Sequence, residues 1–190
     1  DIEPFWVADM DLASPNFLVD KLIDRVKHSI FGYTEKSLEL FESIEWWMKN
    51  EHNLDINKST IGLSPSVVST LCMTIQSFSN VGDSIVTFSP VYGPFFSSVK
   101  SHKRNLVDLP LIINNGKFQI PFEHLESILK KNDVKLLLLC NPHNPGGRVW
   151  KKDELSRIVN LCKDNNVIIF SDEIHSDIVY KPNIHIPILA

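Results

Sequence analysis

Three polar side chains that could take part in catalysis follow two long apolar runs in the sequence. Asn144 comes after the apolar run 136–140, while Asp172 and His175 come after the run 167–171. A carboxylate at the end of a buried strand can face a cationic group, and amide and imidazole nitrogens can donate hydrogen bonds. These three residues are therefore the first candidates for a functional site.

The two apolar runs are the elements that must position these side chains. Uninterrupted apolar runs that end abruptly in polar groups are typical of buried parallel strands. In open α/β sheets, ligands bind at the carboxyl ends of such strands, so both run ends are predicted to lie at one site. The alternative, from spacing alone, is an Asn-Pro turn after the first strand and an acidic cap after the second.

Strands alternate with helices along most of the chain, which predicts an α/β fold with a mostly parallel sheet and helices on both faces. Further strands and a hairpin are predicted at 60–63, 84–88, 106–113 and 114–120. Ser14-Pro15 is predicted to open a helix, with Ser14 as N-cap, and Gly32 to end it; the segment Ser64-Pro65-Ser66 is predicted to open another. Residues 1–34 are predicted to form an arm with a helix, and residues 35–190 a large domain.

Composition and charge argue against several classes of protein. The 190 residues are 43% hydrophobic and 22% charged, which is usual for a globular protein with a buried core. A net charge of −4 gives no electrostatic basis for binding nucleic acid or an anionic membrane, and no apolar run approaches the length of a membrane span. The three cysteines are widely spaced in apolar contexts, which favours reduced core residues and a cytoplasmic location over disulfides or a zinc site.

Five motifs occur in the order that is typical of one enzyme family. They are WVADMD at 6–11, FGYT at 31–34, SPVY at 89–92, NPHNPGGRVW at 141–150 and SDEIHSD at 171–177. With these motifs the chain resembles the class I/II aminotransferases of fold type I, and within them the cystathionine β-lyase (C–S lyase) branch. The resemblance spans essentially the whole chain. It implies a three-layer α/β/α large domain that binds pyridoxal 5′-phosphate (PLP).

The same resemblance implies an activity. It suggests β-elimination from cystathionine or a related L-cysteine thioether, with a thiol, pyruvate and ammonia as products. An aminotransferase of amino acids is the alternative on this scaffold, because both reactions begin with loss of the α-proton. The family also implies a homodimer with composite sites.

The resemblance assigns roles around the PLP ring. A carboxylate must keep the pyridine nitrogen protonated, and Asp172 stands at the matching position. Asn144 and His175 are expected to donate hydrogen bonds to the phenolic oxygen, and Tyr92 to stack on the ring. Many relatives have a tyrosine in place of His175, whereas a histidine fits the β-lyase branch better.

The phosphate of PLP is expected at the start of a helix, on Ser66, Val67 and Val68. A helix N-terminus offers unpaired backbone N–H groups and a positive dipole end. Tyr33 is expected to reach the phosphate site of the neighbouring subunit. Ser66 stands where a small, glycine-like residue is expected in this branch, so its hydroxyl could bind the phosphate or its bulk could crowd it.

From the resemblance, Ala8 and Asp9 are expected to lie on the substrate side of the cofactor.

The resemblance leaves the catalytic lysine unassigned. The lysine that bonds to PLP is expected well beyond His175 in a Ser-x-x-Lys-like context, but the lysine found there is Lys181, with Ile178 three residues before it. Lys181 is therefore interpreted as a surface residue. We therefore expect the 190 residues to be a fragment of a longer enzyme and to be inactive by themselves.

Other classes of protein compete with a PLP enzyme. A nicotinamide oxidoreductase would carry Gly-x-Gly-x-x-Gly after a strand, and a P-loop protein its own glycine-rich motif, and neither pattern occurs in the sequence. A metal hydrolase could use His143, Asp172, Glu173 and His175, although no His-x-x-x-His spacing is present. A non-catalytic binding or scaffold protein stays open on general grounds.

Overall fold

The computed structural model describes residues 11–131 and 133–190. The chain divides into two compact units, of which the first ends at Leu38 and the second comprises Glu39–Ala190. The assignment of residues 1–34 to an arm and residues 35–190 to a PLP-binding domain stays a prediction.

The described part of the first unit contains helix α1, Asn16–Lys27. Pro15 is its N-cap, with φ −56° and ψ 137°, and makes no side-chain hydrogen bond to the helix. The prediction that Ser14 caps the helix is therefore wrong, because the extended ψ of Pro15 delays the helical conformation by one residue. The helix also ends before Gly32, since Ser29 has a positive φ of 58°.

The second unit contains a parallel sheet and five helices within the described ranges. The strands are β1 (Ser84–Ser89), β2 (Asn105–Pro110), β3 (Ile112–Asn114), β4 (Lys117–Gln119), β5 (Val134–Cys140) and β6 (Ile168–Asp172). The helices are α2 (Leu38–His52, which starts at the boundary), α3 (Val67–Phe78), α4 (Gly93–Ser101), α5 (Phe122–Leu129) and α6 (Lys152–Asp164). The main sheet has the order β2-β1-β5-β6 with every pairing parallel, which confirms the predicted sheet. None of the described helices is long and apolar enough to cross a membrane.

Successive side chains of β1 and β5 are buried on opposite faces of the main sheet. Val86 and Leu137 pack in the cluster that includes residues of α5 and α6, whereas Ile85 and Leu136 pack in the cluster that includes residues of α3 and α4. Burying one such aliphatic side chain contributes about 1.5–3 kcal/mol. Helices therefore cover both faces of the sheet, which confirms the predicted three-layer α/β/α fold.

The strand predicted at 60–63 is wrong. A short 3₁₀ helix occupies Lys58–Thr60, and residues 61–63 lie outside every strand. The side-chain oxygen of Asn57 accepts a hydrogen bond from the Ser59 amide at 2.9 Å, and the Asn57 carbonyl accepts one from the Thr60 amide at 2.8 Å. These local hydrogen bonds close a turn in place of a sheet ladder.

The hairpin predicted from the Asn-Asn-Gly sequence is confirmed. Strands β3 and β4 pair antiparallel, with Asn114 opposite Lys117. Asn115 and Gly116 have positive φ angles of 49° and 71°. A two-residue hairpin turn needs this left-handed backbone at both central positions.

Strand β6 is less buried than its apolar sequence predicts. Its first residue is exposed, its next three are half-buried, and Asp172 at its end is buried. Among the described residues, the strand is the last in the sheet order and pairs with one strand, while β5 pairs with two.

Candidate active site

The ends of β5 and β6 bring the two predicted site segments together. Cys140 pairs with Asp172 in the parallel ladder, so both strands end at the same level. The Asn141 amide then donates a hydrogen bond to the Asp172 carbonyl at 2.9 Å. The loop that carries Asn144 and the turn that carries His175 therefore start side by side.

Asp172 is a buried carboxylate with few protein partners. It is 5% exposed, and its Oδ1 accepts a hydrogen bond from the Ile174 amide at 3.2 Å. Burial raises the pKa of Asp172, an effect that the Ile174 amide and the charge of His175 oppose and that the charge of Glu173 reinforces. A carboxylate in this position would gain from a cationic group placed opposite it.

The backbone fixes Asn144 beside the end of β1. The Tyr92 amide donates a hydrogen bond to the Asn144 carbonyl at 3.1 Å, and the Asn144 amide donates to the Cys140 sulfur at 3.3 Å. Tyr92 is the N-cap residue of α4, and its side chain is 42% exposed. Both residues therefore lie at the carboxyl ends of the parallel strands.

The loop around Asn144 is tightly packed at His143 and Gly146. His143 is 2% exposed, and burial lowers its pKa to about 4, so the imidazole is neutral at pH 7. A Cβ atom on Gly146 would lie 2.6 Å from His143 Nδ1. Glycine is therefore needed at this position for the loop to close over the histidine ring.

Asn144 and His175 line one cavity of about 300 Å³. His175 lies in a turn after β6, where its carbonyl accepts a hydrogen bond from the Ile178 amide at 3.0 Å. Pro142, His143, Val149, Tyr180 and Asn183 are among the other lining residues, whereas Asp172, Tyr92 and Ser66 do not line it. The cavity thus joins two of the candidate residues, Asn144 and His175.

The start of α3 is a capped helix N-terminus. Ser66 is the N-cap residue, and its Oγ accepts a hydrogen bond from the Ser69 amide at 3.1 Å. Helix α3 packs on the sheet and leads through a short turn into β1, so its N-terminus points to the edge where the strands end. The amides of Val67 and Val68 fall in the first turn, where backbone N–H groups have no partner within the helix.

Four further predicted residues lie away from the ends of β5 and β6 in sequence or outside the described residues. Tyr33 lies in the first unit, and its side chain is fully exposed. Ala8 and Asp9 lie outside the described residues. Lys181 is exposed, as the sequence analysis predicts.

Sequence reasoning missed a buried polar pair next to the site. Glu173 Oε2 lies 3.1 Å from His185 Nε2, and the His185 side chain is only 2% exposed. Two sequence features could have pointed to this pair: the acidic residue directly after Asp172, and a histidine in a proline-rich segment. Within residues 11–131 and 133–190, no group of three or more histidine, cysteine or acidic side chains is arranged to hold a metal ion.

Comparison with known proteins gives the family. A family model for aminotransferase class I and II matches residues 9–189. The chain belongs to this family. The resemblance deduced from the five motifs is thereby confirmed.

Relatives of this chain include a cystathionine beta-lyase and a C–S lyase. Cystathionine beta-lyase PatB of Bacillus subtilis is 40% identical over 187 residues, which are 98% of this chain and 48% of PatB. Cystalysin of Treponema denticola, whose crystal structure contains PLP, has a TM-score of 0.94 and 34% identity over 98% of this chain and 48% of its own. The PLP-bound C–S lyase of Staphylococcus hominis has a TM-score of 0.92 and 31% identity over 96% of this chain and 48% of its own. The chain therefore spans about half the length of the relatives that it matches.

Proposed function

We propose that the full-length protein is a PLP-dependent C–S β-lyase that acts on cystathionine or a related L-cysteine thioether. With cystathionine, one water is consumed and a thiol, pyruvate and ammonia are released. The similarity to PatB, cystalysin and the Staphylococcus hominis enzyme supports this branch of the family. The observation that carries the proposal is the buried Asp172 carboxylate at the end of β6, whose pKa burial raises.

The residues at the strand ends fit PLP. When bound, PLP supplies an electron sink for the charge left by loss of the substrate α-proton. Asp172 would keep a proton on the pyridine nitrogen, because the resulting cation stabilises the carboxylate in its buried position. Without the cation, burial disfavours the charged carboxylate and raises the pKa of Asp172; a bound pyridinium would oppose this effect.

Asn144 and His175 would hold the phenolic oxygen of PLP. Both line the same cavity, and each carries a nitrogen that can donate a hydrogen bond. Tyr92 would lay its exposed ring against the pyridine ring from the neighbouring edge of the sheet. These three side chains would set the orientation of the ring relative to Asp172.

The N-terminus of α3 would hold the phosphate through Ser66, Val67 and Val68. Free backbone N–H groups and the positive end of the helix dipole favour an anion there. We further propose that the protein is a cytoplasmic homodimer that acts on a small amino-acid substrate. In it, Tyr33 would reach the phosphate of the neighbouring subunit, and Ala8 and Asp9 would lie on the substrate side. We assign the lysine that bonds to PLP to none of the lysines of this chain.

Two assays on the full-length protein test the proposed function. Purified protein is titrated with PLP, and then incubated with cystathionine while thiol and pyruvate are measured. We expect saturable PLP binding and equal amounts of thiol and pyruvate. Transfer of the amino group to a 2-oxo acid without thiol release would instead establish the aminotransferase alternative. Absence of PLP binding would contradict both and favour a non-catalytic protein.

A further inference from the structure

Glu173 has a protein partner on each of its carboxylate oxygens. Oε1 accepts hydrogen bonds from the Ser171 hydroxyl at 2.7 Å and the Ile188 amide at 2.9 Å. Oε2 lies 3.1 Å from His185 Nε2. Burial alone would raise the pKa of Glu173, but these contacts bring it below its ordinary value. The carboxylate is therefore ionised at neutral pH and fixed in its orientation.

The histidine of this pair is itself held inside the second unit. The His185 ring packs edge-on against His52 of α2, with ring centroids 5.4 Å apart. His52 Nε2 in turn lies 2.7 Å from Asp177 Oδ1, which also accepts a hydrogen bond from Trp47 Nε1 at 3.0 Å. Two adjoining histidine–carboxylate pairs thus connect α2, the turn after β6 and the segment 185–188.

Asn141 connects this segment to the end of β5. Its side-chain nitrogen donates a hydrogen bond to the Ile186 carbonyl at 3.0 Å and lies 3.5 Å from Glu173 Oε1. Its backbone amide donates to the Asp172 carbonyl at 2.9 Å. Asp172 is therefore flanked by two residues, Asn141 and Glu173, that both hold the segment 185–188.

We propose that Glu173 is a positioning residue, which together with His185 holds the segment 185–188 against the ends of β5 and β6 and so fixes the position of Asp172. The inference rests on the proposed function in one respect, since Asp172 matters for catalysis there as the partner of the pyridine nitrogen. Placing a second negative charge beside Asp172 disfavours its ionised form. The hydrogen bonds of Glu173 to His185 and Ile188 offset this electrostatic cost.

Three variants of the full-length protein separate positioning from packing. Glu173→Ala removes every hydrogen bond of the carboxylate. Glu173→Gln keeps an acceptor oxygen for Ser171 and Ile188 and offers a donor to His185. Glu123→Ala is the matched control, because Glu123 forms an exposed ion pair with Arg157 on the far helices α5 and α6.

The first readout is amide hydrogen exchange in the PLP-free protein, which needs no activity. We expect the Ile188 amide to exchange about tenfold to a hundredfold faster in Glu173→Ala, since its hydrogen bond to a charged group is lost. The Asn141 amide, which donates to the Asp172 carbonyl, should also exchange faster, because the segment 185–188 is no longer held against the strand ends. Exchange in Glu173→Gln should return close to the wild-type rates. Core amides of β1 should be unchanged in all three variants.

The second readout is kinetic. Glu173→Ala should lower kcat with little change in KM, because a displaced Asp172 weakens stabilisation in the transition state and leaves substrate binding intact. Glu173→Gln should recover most of kcat, and Glu123→Ala should match the wild type.

Unchanged exchange at Asn141 and Ile188 in a folded Glu173→Ala protein would overturn the inference. A uniform rise in exchange that includes β1, with normal kcat, would overturn it too, because it assigns Glu173 to general stability. If the wild-type protein does not bind PLP, the proposed function fails, while the exchange rates still decide whether Glu173 holds the strand ends.

Discussion

Two neighbouring carboxylates at the end of β6 have opposite environments. Asp172 is buried with the Ile174 amide on one oxygen, and its pKa is raised by burial. Glu173 is also partly buried, yet hydrogen bonds from His185, Ile188 and Ser171 bring its pKa below the ordinary value. Glu173 is thus satisfied by the protein itself, whereas the Asp172 carboxylate accepts a hydrogen bond from the Ile174 amide, which suits the role proposed for it opposite a cation.

The two asparagines of the loop after β5 also differ in their surroundings. Asn141 is fully buried, and its side chain donates to the Ile186 carbonyl at 3.0 Å. Asn144 is half-buried, and it lines the cavity together with His175. Asn141 thus holds the segment 185–188, whereas Asn144 faces the cavity.

The largest effect is expected from removing the buried Asp172 carboxylate. Asp172→Ala in the full-length protein should lower kcat on the order of a thousandfold, the size seen when a group that stabilises transition-state charge is removed. Steady-state thiol release at saturating PLP measures it. Asp164→Ala, an exposed acidic residue at the end of α6, is the control and should keep normal activity. A near-normal rate for Asp172→Ala would refute the assignment.

A smaller loss is expected from removing the Asn144 amide, which lines the cavity. Asn144→Ala should weaken PLP binding about tenfold to a hundredfold, because one hydrogen bond to a charged oxygen is lost. Titration of the PLP-free protein with PLP measures the dissociation constant. Asn50→Ala is the control, since Asn50 is an exposed residue of α2 that bonds only locally to the Trp46 carbonyl. Equal affinities for both variants would contradict the role of Asn144.

Because the pKa of Asp172 is raised, replacing its ionisable carboxylate with an amide is predicted to stabilise the PLP-free protein. The folded state keeps the proton to a higher pH than the unfolded chain, so stability falls as pH rises from the ordinary value of 3.8 through the folded pKa. The variant Asp172→Asn has no carboxylate to ionise at this position, so its free energy of unfolding does not fall for this reason as pH rises. Thermal unfolding of the full-length protein should give a higher Tm for the variant at neutral pH and equal values below pH 3.8. A lower Tm at neutral pH would show that the carboxylate is satisfied within the protein.

The smallest effect concerns the cap of α3. Ser66→Ala should lower the free energy of unfolding by about 1 kcal/mol, because the hydrogen bond that Ser66 Oγ accepts from the Ser69 amide is lost, whereas Ser66→Gly should lower it by only a few tenths of a kcal/mol. If backbone N–H groups hold the phosphate, PLP affinity should change little in Ser66→Gly. Denaturant unfolding and PLP titration measure the two quantities. A large loss of affinity in Ser66→Gly would assign the phosphate to the hydroxyl.

The sequence predicts those features that depend on local pattern. The apolar run 136–140 predicts β5, the Asn-Asn-Gly sequence predicts the β3–β4 hairpin, and Ser66 predicts the start of α3. The strand predicted at 60–63 fails because the Asn57 side chain closes a local turn that apolar pattern does not reveal.

The candidate site is predictable only in part from the sequence. Motifs single out Asn144, Asp172 and His175, and the ends of β5 and β6 lie together as the parallel pattern predicts. The Glu173–His185 pair is not predictable in this way, because the two residues are twelve positions apart in irregular segments. Nor does any pattern reveal that burial leaves Asp172 with few partners.

The central claim is that Asp172 keeps the pyridine nitrogen of PLP protonated. The most direct measurement is the ¹⁵N chemical shift of ring-labelled PLP bound to the full-length protein, followed across the neutral and mildly alkaline range. We predict the shift of a protonated nitrogen throughout this range in the wild type, and that of an unprotonated nitrogen in Asp172→Asn. An unprotonated nitrogen in the wild-type protein, or the same shift in both proteins, would contradict the account.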